Sequence, residues 1–144
     1  MFKKNAATYK AAQNTSSASE SSPEELIILL LEKACSSVLR AKLIVSENKL
    51  DAPDLDERLT ATEEYFTAIA KALEIAMALR AVVDLEKGGA LATQLLVTYD
   101  AIIRGLNEAR KDKSVPAFEK IYEAFSEMKD AWLTVRSMNI KQAV

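Results

Sequence analysis

The sequence predicts an all-α protein, an antiparallel up-down four-helix bundle with a mobile N-terminal arm. Three observations carry that expectation. Apolar residues recur at three- and four-residue steps through four separate segments, the period of a helix with one buried face. The breaks between segments are short and hold Asn, Asp, Pro, Gly and Lys, and short connections set consecutive helices antiparallel. Strict alternation is absent, as are the Asn-Gly and Asp-Gly pairs that mark hairpins. At 144 residues, 49% of them hydrophobic, the chain suits one domain with a core of its own. The expected layout is an arm over 1–21, the bundle over 22–137 and a tail over 138–144.

Residues 1–21 are rich in Ala, Asn, Ser, Thr and Lys, with Phe2 and Tyr9 as the large apolar groups, too few to fold alone. The first helix has a sharp start: Ser22 suits the cap, Pro23 the first helical position, and Glu25 completes the spacing of a capping box. Ile27, Leu30, Ala34, Val38, Ala41 and Val45 define its core stripe to about Asn48. Leu26 to Leu31 are all apolar and wrap the full circumference, so some of them must meet a partner or stay exposed. Leu29 and Leu43 fall in the polar row of Glu25, Glu32, Ser36, Arg40 and Glu47, which makes them candidates for contact.

Asn48 to Asp56, with Pro53, reads as a loop. The second helix is expected to run to about Glu86. One stripe of Leu59, Phe66, Ile69, Leu73, Ala76 and Val83 lies beside another of Tyr65, Ala68, Ala72, Ile75, Leu79 and Val82, so burial on two sides is expected, with Arg80 snorkelling. Gly88-Gly89 after Lys87 reads as its C-terminal stop. In the third helix Leu91, Leu95, Tyr99, Ile102, Leu106 and Ala109 face the core, and Gly105 points to a close helix approach that offsets its cost of about 1 kcal/mol relative to Ala. After a polar break at Lys111 to Ser114, the spacing of Phe118, Ile121, Tyr122, Phe125, Met128, Trp132 and Val135 sets out the fourth helix, with Tyr122 and Trp132 as core residues.

Much chemistry is excluded. The 19 basic and 21 acidic side chains are interleaved for a net charge of −2, which offers no basic face to nucleic acid. No apolar run approaches the ~20 residues of a membrane span and no apolar signal core precedes Ser22, so a cytoplasmic protein without membrane insertion is expected. Histidine is missing, which removes the commonest general acid-base group and the Glu-x-x-His pairs of di-iron bundles. The neighbours in Glu24-Glu25 and Glu63-Glu64 point about 100° apart and form no dyad. Gly88-Gly89 lacks the lysine and spacing of a phosphate loop, and Cys35, the one cysteine, reads as a buried, inert thiol. No catalytic residue, metal ligand or cofactor is expected, and the chain reads as a binding protein rather than an enzyme.

Three groups of residues carry a resemblance. Tyr9 precedes a Ser-Pro-Glu-Glu-Leu-Ile segment at Ser22 to Ile27. Asp84, Gly88, Gly89, Leu91, Ala92 and Leu95 are followed by Tyr99, Ile103 and Leu106, and Ala131-Trp132 stands near the end. In this order and separation the chain resembles the FliS family of flagellin chaperones over nearly all of its length. It departs from the family pattern at Ile28, commonly polar, at Leu31, commonly aromatic, and at Gln94, commonly asparagine. It also has Tyr99-Asp100-Ala101-Ile102 where Tyr-x-Tyr-Met is frequent.

The resemblance implies that the bundle binds the C-terminal segment of flagellin, keeps it from polymerising early and helps deliver it to the flagellar export gate. A segment that is disordered when alone and amphipathic when folded needs an apolar groove, which wide helix faces supply. The residues expected at that surface are Leu26, Leu29, Tyr65, Leu91 and Tyr99, with Tyr9 of the arm as an internal competitor that flagellin displaces. The alternative is a non-catalytic helical adaptor that binds a folded partner or itself.

Overall fold

The computed structural model describes residues 22–143, with side chains to Ser137; the arm expected over 1–21, and Tyr9 within it, lie outside the described residues. Among the described residues the chain forms four α-helices, α1 (Pro23–Ser46), α2 (Leu55–Ala81), α3 (Leu85–Asp112) and α4 (Val115–Ala143), with a 3-10 turn at Lys49–Asp51. Each helix packs on the next, and α1 against α4 closes the ring with the most extensive contact of all. This is the expected up-down bundle. The bounds of α4 take in 138–143, which the sequence assigned to a tail.

Side chains that accept from free amides set the helix starts. Ser22 Oγ accepts from the Glu25 amide at 3.2 Å, Asp54 Oδ2 from that of Glu57 at 3.1 Å, and Ser114 Oγ from that of Ala117 at 3.2 Å. The join of α3 to α4 turns on Lys113, which is left-handed at φ 52° and donates its amide to the Ala109 carbonyl at 2.7 Å.

The end of α2 corrects the sequence expectation. The helix stops at Ala81, and Asp84 Oδ1 accepts from the amides of Glu86 and Lys87 at 3.0 and 3.1 Å, so α3 starts at Leu85. A short acidic side chain competes for backbone amides and favours a cap over continuation. Gly88-Gly89 is therefore not a terminator but a break inside α3. Gly89 takes φ 55° and ψ −131°, which side-chain-bearing residues avoid, and a Cβ on Gly88 would stand 2.6 Å from Ala92 Cβ.

The core is built from Leu31, Val38 and Ile44 of α1, Tyr65, Ile69 and Leu79 of α2, Leu106 of α3, and Phe118 and Phe125 of α4, interleaved with alanines. α2 is buried on one broad face rather than two. Ile69 and Ala76 of its first stripe are buried, but Leu59 and Phe66 are exposed, in one row with Leu55 and Met77. Among the described residues α2 packs against α1, α3 and the 3-10 turn, which leave that row exposed. Tyr122, expected in the core, is also exposed. Arg80 does not simply snorkel; its Nε pairs with Asp100 Oδ1 of α3 at 2.5 Å.

Gly105 is likewise not required by close packing, because a Cβ there would meet Ile121 Cδ1 at 3.5 Å, an ordinary contact. Gly105→Ala is expected to raise stability by about 0.5–1 kcal/mol, read as a higher urea midpoint. A lower midpoint would mean that Ile121 has no room for the methyl.

Candidate functional site

Where α1 begins, α2 ends, α3 begins and α4 approaches its end, the four helices leave an apolar recess of about 310 Å³. Ile27 of α1, Leu79 of α2 and Val83 just beyond its end, Leu91 and Tyr99 of α3, and Trp132 of α4 contribute to its walls. Two local features shape it: the early stop of α2 and the Gly89 break just before Leu91. Leu91, expected to face the core, is 65% exposed at the rim, while Tyr99, two turns on, is only 2% exposed. Burial alone pushes the Tyr99 hydroxyl up to about 12, so it stays protonated throughout the neutral range.

The structure brings together two of the expected contact residues, Leu91 and Tyr99, and separates the others. Leu26 is half-buried and packs against the core. Leu29 is 41% exposed on the outer row of α1, with Leu39 and Leu43, and does not line the recess. Tyr65 must be corrected: it is fully buried. Its hydroxyl donates to the Arg110 carbonyl at 2.8 Å, and its ring stands edge-on to Phe118 with centroids 6.1 Å apart. The reason is local, because the carbonyls in the last turn of α3 lack helical partners and a buried hydroxyl can satisfy one. Burial, opposed by the Arg110 charge, pushes Tyr65 up to about 12 as well.

Ile27 and Trp132, assigned to the core by their spacing, do pack against it, and both also line the recess. Sequence reasoning missed the exposed row of Leu55, Leu59, Phe66 and Met77, whose signal was the width of the α2 apolar face. A larger cleft between α1 and α2, about 690 Å³, is lined mostly by polar and charged residues, of which Arg40 pairs with Glu64 and Lys71 with Glu74. Burial pushes the Cys35 thiol up, away from the reactive thiolate. Among the described residues no cluster of His, Cys, Asp or Glu has the arrangement of a metal site, and no helix is long and apolar enough to cross a membrane.

A four-helix bundle with a largely apolar recess, lined by aromatic and aliphatic side chains beside Asp84 and Lys87, has the form of a helical binding protein. The family model of flagellar protein FliS matches residues 5–139. The chain belongs to this family. It is 30% identical over 125 residues to the flagellar secretion chaperone FliS of Salmonella typhimurium (strain LT2), covering 86% of this chain and 84% of the relative. It is 26% identical over 124 residues to the flagellar secretion chaperone FliS of Vibrio cholerae serotype O1, covering 86% and 82%.

Proposed function

We propose that this chain is a flagellar export chaperone that holds the disordered C-terminal segment of flagellin in the cytoplasm, prevents its premature polymerisation and presents it to the export gate. The observation that carries the reading is the recess that joins Leu91 and Tyr99, an apolar opening kept in the folded protein of a family whose relatives are named as flagellar secretion chaperones. Binding without catalysis suffices for this role. Ordering a long segment offsets part of the contact energy, so a large wrapped surface can still release its cargo.

The arm fits the same scheme as a shield. Tyr9 stands 13 residues before Ser22. Thirteen extended residues span about 43 Å, more than the roughly 36 Å length of α1, so the arm can reach the recess and much of the bundle surface. In the free protein it covers apolar surface that flagellin later occupies. Deleting residues 1–18 should then raise flagellin affinity and lower solubility, and equal values for both would remove the shielding role.

The test of the whole reading is calorimetric titration with the last ~40 residues of flagellin as an unfolded peptide, a length whose ordering cost is compatible with reversible binding. Heat and a complex are expected. Leu29→Lys should keep the fold and weaken binding several-fold; normal binding by a folded Leu29→Lys protein would take Leu29 out of the surface. The uncovered row of Leu55, Leu59, Phe66 and Met77 is what favours the alternative, an adaptor for a folded partner or for a second copy. No heat with the peptide, together with self-association in sedimentation, would establish that alternative.

A further inference from the structure

Tyr65 and Tyr99 are equally removed from solvent but differ at the hydroxyl. That of Tyr65 donates to the Arg110 carbonyl. That of Tyr99 makes no hydrogen bond among the described residues, yet no side-chain oxygen or nitrogen there is sealed away without a partner. The Tyr99 hydroxyl must therefore keep contact with open space, and the open space its side chain lines is the recess. Trp132, half-buried in the same wall, makes no hydrogen bond with its indole N–H among the described residues either. The recess is thus lined by two aromatic side chains whose donor groups make no hydrogen bond among the described residues, with Asp84 and Lys87 as the charged members of the lining. Buried aromatic hydroxyl and indole groups ordinarily find a partner, because leaving one unmade forfeits its hydration.

We propose that Tyr99 is the specificity-determining residue of the recess, and that its hydroxyl donates to a backbone carbonyl of the bound flagellin segment beside the apolar side chain filling the recess. The proposal rests on the flagellin reading above and adds a restriction to it. A carbonyl in the middle of a helix already accepts one backbone amide, so a stretch that is extended or ends a helix, where carbonyls are free, supplies the stronger acceptor. Size agrees with this, since about 310 Å³ takes one large side chain with its flanking backbone rather than a whole helix.

The experiment compares the full chain with Tyr99→Phe and Tyr65→Phe, using the flagellin C-terminal peptide and three readouts: urea midpoint, calorimetric affinity and emission of Trp132, the only tryptophan. Tyr99→Phe should be no less stable than the parent and bind roughly 5- to 20-fold more weakly, the loss of one buried hydrogen bond. Tyr65→Phe should do the reverse, losing stability while keeping affinity. Trp132 emission should shift on saturation of the parent. Unchanged affinity in Tyr99→Phe, a stability loss there matching that of Tyr65→Phe, or a Trp132 signal indifferent to bound peptide would each overturn the proposal while leaving flagellin binding intact. Absence of binding by the parent chain would overturn both.

Discussion

Replacing Tyr65 with alanine is expected to cost about 3–5 kcal/mol, the range for truncating a large buried aromatic side chain. The ring is fully buried, lies edge-on to Phe66 at 5.3 Å and to Phe118 at 6.1 Å, and holds the last turn of α3 through its hydroxyl. Three helices therefore loosen together. In thermal melts followed by circular dichroism the midpoint should fall by roughly 10–15 °C. A midpoint within 2–3 °C of the parent would mean that Tyr65 is not the packing centre its surroundings describe.

The second large effect is on binding and should leave the fold untouched. Leu91 is 65% exposed, so Leu91→Asp removes little buried surface and should change stability by no more than ~0.5 kcal/mol. On the flagellin reading it places a charge at the rim of the apolar recess, and the penalty of about 2 kcal/mol or more typical of a central contact lowers peptide affinity by at least about 30-fold. Equal calorimetric affinity for parent and variant would move the binding surface away from the recess. The contrast between the two substitutions is itself informative, since Tyr65 and Leu91 were both among the contact residues expected with the family resemblance.

What separated them is geometry that periodicity does not encode. A helical stripe says which residues share a side, not how many neighbours the helix has. Tyr65 and Phe66 both belong to apolar stripes of α2, but the ring of four helices covers one and leaves the other open. Chemistry that acts within a few residues was more legible. Ser22 caps α1 as its spacing with Glu25 requires, and Lys111 to Ser114 marks the join of α3 to α4. The same local logic was available at Asp84 and was overlooked in favour of the more conspicuous glycines. The recess was out of reach for another reason. It joins Ile27 to Trp132 across more than a hundred residues of chain, and only the assembled bundle brings them to one recess.

The closing contact of the ring has a consequence for how the protein comes into being. The most extensive helix pairing joins the first helix to the last, so α1 remains without its main partner until Val115 and the residues after it have been synthesised. At ribosomal rates of about 5–20 residues per second, that exposes the apolar wrap of Leu26 to Leu31 for several seconds. Trp132 arrives later still. A nascent chain therefore has no recess to offer until its fourth helix has been made and has folded back on the first.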